Sequence, residues 1–435
     1  MKKLLLCTTA LASLVASSAF AADGNTYPVN SANNNLQVTL GGSATFESGH
    51  VNQDKDHKKN FSFSPNQSSS ALYTKSKLYV KAEGKGDNNV IYGAVVRVQT
   101  VANGSNGASD TRNDRTHIYM DTDAGTVQLG SNSAASKLMA LNAGTIASAT
   151  GGIDGDFSTF AAADLSGYNG MGLTGVDNLY NNLDRRESSR KVTYLSPRIS
   201  GVQFGVSYTQ DQANSGDSNV VTQRNNQTVN YINNTYLGSS VRLKNIWSLG
   251  LSYSNTFAND VSLALSATTD MGRRNNKTID SGYTEAQIKV INSLNHTNFE
   301  LSDINNTTPK KDLKSYSLGT VVGYNGFSVA GSYTDDGTSL ISKAAPNGFK
   351  SSWWTAGIAY QTGPMSTSLT YLEGKKGYSN RNLKTQLVSL GVDYEVMPGM
   401  KPFAEVTKAT YTPSNKTTNT KAKATVFIFG TKVKF

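Results

Sequence analysis

Apolar and polar residues alternate with a period of two along most of this chain. The run at residues 246–254 is a clear example: Trp247, Leu249, Leu251 and Tyr253 share one face, and serine and glycine occupy the other. This alternation is typical of a β-strand with one apolar and one polar face. It recurs in sixteen runs and predicts an all-β protein.

Most of the sixteen runs are between eight and twelve residues long, which is an ordinary length for a strand. The candidate strands are residues 36–47, 73–83, 90–101, 114–121, 126–130, 191–197, 202–210, 246–254, 261–269, 313–324, 327–334, 353–361, 365–372, 384–394, 401–411 and 424–435. One further stretch, residues 286–291, fits either a strand or a helix.

Short turns and long polar loops alternate as the connections between these runs. Asn325-Gly326 favours a tight hairpin turn, whereas residues 211–244 and 270–312 are long and polar. Outer-membrane barrels combine alternating strands with short turns at one end and long loops at the other. The sequence therefore predicts a transmembrane antiparallel β-barrel of sixteen strands, whose apolar faces contact lipid. Closure also leaves no unpaired strand edge.

Aromatic residues support the assignment of the apolar faces to lipid. Most of them lie near strand ends, where the boundary between lipid and water concentrates aromatic side chains. The aromatic residues predicted to face lipid are Tyr194, Tyr208, Trp247, Tyr253, Tyr316, Tyr324, Phe327, Tyr333, Trp354, Tyr360 and Tyr371. As a set they predict two aromatic belts.

One long segment, residues 131–187, has no regular period although clear strands flank it. The segment is rich in Gly and Ala and carries scattered Asp residues. A structureless loop of this length is unusual in a compact domain. The lumen of a barrel, however, can enclose such a loop and hydrogen-bond its backbone. We predict that this segment folds into the lumen as a constriction loop.

Residues 1–21 have the features of an export signal. Two lysines precede an apolar run that is too short to cross a bilayer as a helix, and Ala-Phe-Ala at residues 19–21 is a typical cleavage site. We predict cleavage after Ala21, which leaves residues 22–435 as the barrel. Cleavage would also remove Cys7, the only cysteine. The mature chain would then have no disulfides, metal thiolates or cysteine nucleophiles.

The charge balance is basic but does not indicate a nucleic-acid partner. The chain has 41 Lys and Arg against 31 Asp and Glu, and loss of the two signal lysines leaves 41 − 2 = 39, a formal net charge of +8. These residues are dispersed, and no groove-reading helix motif accompanies them. We interpret them as a solvated surface and a charged lumen.

The motifs of common enzymes and metal sites are missing from the sequence. His117 has the parity of a lumen residue, which means that it lies at one of the alternating strand positions predicted to face the lumen. Neither a nucleophile elbow nor an H-E-x-x-H pattern accompanies it. Residues 54–56, Asp-Lys-Asp, lack the glycine and the final glutamate of an EF-hand. We predict no catalytic residues, no cofactor and no metal.

Four short motifs resemble those of a known family. Residues 194–208 resemble a hairpin of the Gram-negative general diffusion porins, especially those of alphaproteobacteria, and residues 151–157 are similar to the constriction loop of that group. Residues 125–130 resemble the strand before this loop, and the terminal Phe435 resembles the signal for outer-membrane assembly. The resemblance covers essentially the whole mature chain. It implies a sixteen-stranded barrel, usually a homotrimer, whose third external loop narrows the channel.

Charged residues are the candidates for the narrowest part of the channel. The resemblance implies that the loop supplies the acidic side, and lumen parity selects the basic side from the strands. The predicted constriction residues are Asp154, Asp156, Lys75, Lys77, Arg97, Arg115 and Lys191. Two alternatives remain for the aspartates: they cap backbone amides in a glycine-rich turn, or they bind calcium, for which two carboxylates are a small ligand set.

These patterns predict passive diffusion of small hydrophilic solutes and ions through a water-filled channel of the outer membrane, with no bond made or broken. The alternative is an outer-membrane barrel that acts mainly as an adhesin or structural surface protein, since its long polar loops would face outward. Open conductance distinguishes the two. The sign of ion selectivity stays open, because the chain is basic and the loop is acidic.

Overall fold

The computed structural model describes residues 27–30, 36–53, 69–102, 109–160, 189–211, 243–274, 310–345, 350–377, 382–413 and 422–435. Its strands are β1 (Tyr27–Asn30), β2 (Leu36–Gln53), β3 (Ser70–Lys85), β4 (Ile91–Ala102), β5 (Ser109–Thr122), β6 (Gly125–Ser131), β7 (Arg190–Leu195), β8 (Val202–Asp211), β9 (Leu243–Thr256), β10 (Ser262–Arg274), β11 (Leu313–Tyr324), β12 (Phe327–Gly337), β13 (Ser351–Thr362), β14 (Met365–Gly377), β15 (Asn382–Tyr394), β16 (Met400–Pro413) and β17 (Ala422–Lys434).

Strands β2 to β17 form a closed antiparallel barrel. Each strand pairs with the next one along the chain, and β17 returns to pair with β2, so that Lys434 lies opposite Ser43 and Ala424 opposite Gln53. Closure satisfies the backbone hydrogen bonds that would otherwise be exposed at two sheet edges. The prediction of a sixteen-stranded antiparallel barrel is confirmed.

The short strand β1 was not predicted. It pairs with the first part of β2, where Tyr27 lies opposite Leu40 and Asn30 opposite Gln37. The pairing between β17 and β2 begins only at Ser43, so β1 occupies the part of that edge that β17 leaves uncovered. With four residues and a proline in second position, β1 is too short to show an alternating pattern.

Several strands extend beyond their alternating runs. Strand β2 ends at Gln53 rather than at residue 47, and β3 begins at Ser70 rather than at residue 73. Ladder hydrogen bonds join backbone groups whatever the side chain, so a strand can continue past the apolar zone. Residues 1–21 and 286–291, which carry the predictions of a signal and of an undecided element, lie outside the described residues.

The outer face of the barrel is apolar and the inner face is polar. On β9, Trp247 and Leu251 point outward and are 48% and 51% exposed, whereas Ser248 and Ser252 point inward and are 2% and 3% exposed. A band of large apolar side chains around a whole barrel is rare on a protein surrounded by water. Lipid is the environment in which such a band is stable.

The aromatic residues lie at two levels of the outer face. The strand register places all eleven aromatic residues of the predicted set on this face. Tyr208 and Trp247, with ring centroids 4.9 Å apart, lie near one end of the barrel. Phe327 and Tyr360, with centroids 4.4 Å apart, lie near the other. Aromatic residues at two levels of the outer face are typical of the belts at the two interfaces of a bilayer.

Seven connections of two to six residues lie at one end of the barrel. They are residues 86–90, 123–124, 196–201, 257–261, 325–326, 363–364 and 395–399. The first contains a 3₁₀ helix, Asp87–Asn89. In the hairpin between β11 and β12, Asn325 and Gly326 have φ values of 46° and 82°. Positive φ at both central residues defines the tight turn that this dipeptide predicted.

The carboxyl terminus closes the barrel at the short-turn end. The Gly42 amide donates to the Phe435 carbonyl over 2.7 Å, and the Phe435 amide donates to the Gly42 carbonyl over 3.0 Å. A Cβ atom at position 42 would lie 2.6 Å from Cζ of the Phe435 ring. Glycine therefore leaves the space in which the terminal aromatic ring lies.

After β6 the chain turns into the barrel. The part of the connection that the structure describes contains α1 (Ala135–Met139), two 3₁₀ helices (Ala143–Ile146 and Gly152–Asp154) and α2 (Phe157–Phe160). These elements pack on the inner wall. Within the described residues, helices are too short or too polar to cross a bilayer. The segment predicted as residues 131–187 thus corresponds to the connection from residue 132 to residue 189.

A candidate pore constriction

Hydroxyl groups of the inner wall hold the backbone of the constriction loop. The loop amides that donate to a serine or threonine of the wall are those of Ala135 to Ser207 (2.8 Å), Leu141 to Ser266 (3.1 Å), Ala143 to Thr355 (3.0 Å), Ser148 to Ser368 (2.7 Å) and Ile153 to Thr370 (3.2 Å). Each acceptor lies on the inner face of its strand. The small polar residues of the alternating pattern therefore fix the path of the loop along the wall.

Two carboxylates bind the loop next to the acidic motif. Oδ2 of Asp393 accepts the Ala149 amide over 2.9 Å. Oε2 of Glu405, which is buried, accepts the amides of Thr150 (3.1 Å) and Gly152 (3.3 Å) and the Thr150 hydroxyl (2.8 Å). Hydrogen bonds to a charged acceptor are stronger than those to a neutral one. Glu405 is accordingly the main polar anchor of this part of the loop.

An apolar cluster anchors the far end of the described loop. Ile153 and Phe157 are fully buried, and they pack in one cluster with Leu372, Leu387 and Ile428 of the wall. The inner faces of β14, β15 and β17 are thus apolar where they contact this part of the loop. The sequence contained a signal of this, because apolar residues there occur in immediate succession, as at residues 371–372, 387–388 and 427–429.

Gly49 of β2 provides the space in which the Phe160 ring lies. A methyl group at position 49 would overlap this ring, which also contacts Tyr73 edge-on at 6.3 Å between centroids. We expect Gly49→Ala to displace Phe160 from the wall at a cost of about 1–3 kcal/mol. The displaced ring enters the lumen, so single-channel conductance in KCl should fall.

Gly331→Ala is the matched control for this variant. A Cβ atom at Gly331 would have ordinary contact distance, 3.7 Å, to the Thr355 carbonyl oxygen. Both changes add one methyl group to a strand glycine, so the control should conduct as the wild type does. Equal conductance and current noise in the two variants would contradict the assigned position of Phe160.

The described part of the loop, residues 132–160, packs along much of the inner wall but leaves one sector facing it. Helix α1 packs on β7 to β10, the two 3₁₀ helices pack mainly on β12 to β16, and α2 packs on β17 and β2. The lumen faces of β3, β4 and β5 lie across from these contacts. The open cross-section is therefore bounded by the loop on one side and by these three strands on the other.

The uncovered sector is basic. Lys75 and Lys77 point inward from β3, and Arg97 from β4 lies beside Arg115 from β5 in the register. The Arg97 guanidinium lies 5.8 Å from the centroid of the Tyr79 ring, a cation–π distance that holds its planar group against the wall. Four predicted basic residues thus form a strip on one sector of the lumen.

The loop meets this strip at Asp156. The Asp156 carboxylate forms a direct ion pair with Lys75. The same ammonium lies 3.5 Å from a carboxylate oxygen of Glu47, whose side chain is fully buried on β2. The Lys75 ammonium thus lies between two carboxylates and connects the loop to the wall. It does so at the boundary between β2, on which α2 packs, and β3 of the uncovered sector. Of the predicted residues, Asp156 and Lys75 are in direct contact.

The other predicted residues are distributed around this contact. Asp154 is exposed in the lumen, two residues before Asp156. Arg115 donates to the Ser133 hydroxyl over 3.1 Å at the start of the loop. Lys191 is buried, and its ammonium donates to the carbonyls of Asn132 and Ser189. Lys191 therefore ties together the two ends of the loop, away from the pair formed by Asp156 and Lys75.

Four carboxylates that bind the loop, or bind its partner Lys75, were not singled out from the sequence. Glu47, Asp393 and Glu405 lie at the alternating positions that face the lumen, as the predicted lysines and arginines do. Asp270 does so too, and its Oδ1 accepts the Ser136 hydroxyl over 2.8 Å. Parity could have found them. It could not show which loop residues they bind, because the loop has no period of its own.

The described residues contain no cluster of three or more His, Cys, Asp and Glu side chains that could hold a metal ion. Near the two aspartates, the Gly152 amide donates to Glu405, and the Gly155 amide donates to the Gly152 carbonyl within the loop. The site consists of opposed charges around a passage. This arrangement can orient and select a passing solute, and its chemistry is electrostatic.

The fold and the site together define a class of protein: a β-barrel channel with a loop folded into its lumen. The sequence model of the Gram-negative porin family matches residues 8–414, and the chain belongs to this family. The family and the fold are those of porin-type channels rather than of enzymes.

Relatives of similar length are found in Rickettsia. The chain is 29% identical over 466 residues to an uncharacterized protein of Rickettsia conorii and 30% identical over 474 residues to one of Rickettsia felis, with 100% of each chain covered in both cases. Among solved structures, two mutants of the porin of Rhodopseudomonas blastica are similar, at 14% identity and a TM-score of 0.49, covering 92% of this chain and 100% of theirs.

Proposed function

We propose that this protein is an outer-membrane porin through which small hydrophilic solutes and ions diffuse passively. The observation that carries the proposal is the fixed position of the constriction loop. Wall hydroxyls and carboxylates hold the loop along β7 to β17, so that its acidic motif approaches the basic strip of β3 to β5. A loop held in this way narrows a channel, whereas a plug would fill it.

In this proposal, the constriction selects solutes by size and orients them by charge. Asp154 and Asp156 supply the acidic side, and Lys75, Lys77, Arg97 and Arg115 supply the basic side. Opposed charges across a water-filled passage create a transverse field that aligns dipolar solutes and disfavours apolar ones. Lys191 contributes by holding the base of the loop. The transport step is diffusion, and it requires neither catalysis nor a cofactor.

Two further features support an outer-membrane location. The two aromatic levels of the outer face fit the interfaces of a bilayer. Residues 1–21 have the composition of an export signal, and we propose that they are removed during passage to the periplasm. The short turns would then face the periplasm and the long connections would face the outside of the cell.

We also propose a homotrimer, with β3 and β4 in the interface. The eleven aromatic residues lie on β7 to β14, whereas the outward face of β3 and β4 carries Val80, Ala82, Ala94 and Val96 at its centre. Small aliphatic residues form a flat surface that suits close packing between barrels. Light scattering of the detergent-solubilised protein should give three times the mass of one chain, and the mass of a single chain would overturn this part of the proposal.

Swelling of protein-containing liposomes tests the proposed channel directly. Liposomes containing the refolded mature protein should swell in isotonic arabinose and progressively more slowly in glucose, sucrose and raffinose. The decline follows from restricted diffusion through a narrow wet passage. Liposomes with the same protein boiled before addition are the control. Absence of swelling with a folded, inserted barrel would contradict the proposal and favour the adhesin alternative.

A further inference from the structure

The last residue of β10, Arg274, points into the lumen at the end of the barrel opposite the short turns. It lies directly opposite Leu243 in the register, and side chains paired in this way share one face of a sheet. Leu243 is 1% exposed and packs with Ile246 and Leu313 in an apolar cluster, which we call the rim cluster. Ile246 lies two positions before the inward-facing Ser248, so the rim cluster belongs to the inner wall.

A second cation of the rim, Lys310, lies on a folded part of the chain just before β11. Lys310 forms a β-bridge with Ser342, and the Lys311 amide donates to the Ile341 carbonyl over 2.8 Å. Leu340 packs on the rim cluster with φ of 59°, a conformation that is uncommon for leucine and that persists where surrounding contacts enforce it. The backbone that carries Lys310 is therefore held against the inner wall.

The two cations are close enough to repel each other. Burial lowers the pKa of Lys310, and the positive charge of Arg274 lowers it further. Nε and Nη1 of Arg274 are shielded from solvent, and among the described residues they have no hydrogen-bond acceptor. A buried donor without an acceptor is costly, and more so on a charged group. An anion between the two cations would accept these hydrogen bonds and offset the repulsion.

The acidic residues of β10 and of the rim have other partners. Oδ1 of Asp312 accepts the backbone amide of Arg274 over 2.8 Å, which orients this carboxylate toward the backbone. Asp270 lies four residues, about 13 Å, deeper on the same strand. There its Oδ1 accepts the Ser136 hydroxyl of the constriction loop over 2.8 Å. The pair of cations therefore keeps a local excess of positive charge, and it lies on the approach to the constriction.

We propose that Arg274 and Lys310 bind the phosphate group of a small hydrophilic solute at the mouth of the channel. A guanidinium donates several hydrogen bonds to phosphate oxygens, and an ammonium adds a compact positive charge. Two adjacent cations match the nearly twofold negative charge of a phosphate monoester better than the single charge of a carboxylate. The site holds such a solute before it reaches the constriction. This inference rests on the proposed channel function.

Block of the ion current by inorganic phosphate tests the proposal. In a planar bilayer at constant ionic strength, phosphate added to the side of the long connections should reduce the single-channel conductance in a saturable way. Arg274→Gln should raise the half-blocking phosphate concentration about tenfold, since it removes the charge-assisted hydrogen bonds. Lys310→Gln should raise it less, because it removes one charge and leaves the guanidinium in place. Conductance without phosphate shows that each variant is folded and inserted.

Arg273→Gln is the matched control. Arg273 precedes Arg274 on the same strand, but its side chain is exposed and lies opposite Lys244 on the outer face. This variant loses the same charge at nearly the same level of the barrel, and it should keep the half-blocking concentration of the wild type. Equal shifts in the Arg273 and Arg274 variants would assign the block to general surface charge and overturn the inference.

Two further probes define the ligand. Glycerol 3-phosphate should block the channel with the same dependence on Arg274; a tighter block than that by inorganic phosphate supports an organic phosphate as the solute, and an equal block supports free phosphate. Acetate should block much more weakly, and an acetate block equal to that by phosphate would refute phosphate recognition. A channel that conducts without saturable block refutes this site alone, whereas a folded, inserted barrel without conductance refutes the proposed channel and the site with it.

Discussion

Replacing both loop aspartates, in the variant Asp154→Asn/Asp156→Asn, should shift the permeability of the channel from potassium toward chloride. A carboxylate about 8 Å from the ion path changes the electrostatic free energy of a passing ion by about 0.5 kcal/mol in water, and screening by salt roughly halves this value. Because the two carboxylates stabilise potassium and destabilise chloride, their removal should lower the potassium-to-chloride permeability ratio about fivefold. Loss of Asp156 also leaves the Lys75 ammonium without its loop partner, which acts in the same direction.

The measurement is the reversal potential of the refolded protein in a planar bilayer under a KCl gradient. Asp87→Asn/Asp123→Asn is the matched control, since it removes two exposed carboxylates from short turns at the end of the barrel. Lys75→Gln should move the ratio in the opposite direction to the aspartate variant. An unchanged reversal potential in both lumen variants would place the narrowest point away from these residues.

Replacing Glu405 with alanine should release the loop from β16. Three donors, the amides of Thr150 and Gly152 and the hydroxyl of Thr150, lose their common acceptor. Hydrogen bonds to a charged group contribute about 1.5–3 kcal/mol each, and water in the lumen restores part of this. We expect the detached population of the loop to rise about tenfold or more, seen as new current levels and noise in single-channel records.

Two further variants make this second prediction specific. Glu405→Gln keeps one acceptor oxygen and should have an intermediate effect. In the pair Ala149→Cys/Gly391→Cys, a Cβ atom at position 391 would lie 3.2 Å from that of Ala149, close to the separation in disulfides. Oxidation of this pair in the Glu405→Ala background should restore quiet records, and a reductant should reverse the effect. If the current noise persists after cross-linking, its source is another part of the barrel and not the detached loop.

The alternating pattern was sufficient to predict the barrel. Strand number, the direction of each face and the turn at Asn325-Gly326 follow from side-chain periodicity and from the conformational preferences of two residues, both of which are local. Strand ends were less predictable, since Gln53 and Ser70 continue the ladder through backbone bonds that side chains do not report. The four residues of β1 are too few to form a pattern.

The candidate site was predictable only in part. Parity placed Lys75 and Arg97 in the lumen, and the resemblance of the loop motif drew attention to Asp156. Parity also applied to Lys191, yet its ammonium lies at the base of the loop, because the two ends of the loop converge there. The residues that hold the loop gain their role from partners far away in sequence, and those of Glu405 are more than two hundred positions away.

By itself, the sequence determined that this chain forms a barrel with an apolar exterior, a polar lumen and one irregular loop. These properties depend on residue types at a spacing of two, and that spacing is visible in the chain. Only the tertiary structure decided where the loop lies, that Lys75 joins Asp156 to Glu47, and that Phe157 is fully buried beside Leu372. Barrel closure brings these residues together, and no local pattern encodes contacts that closure creates.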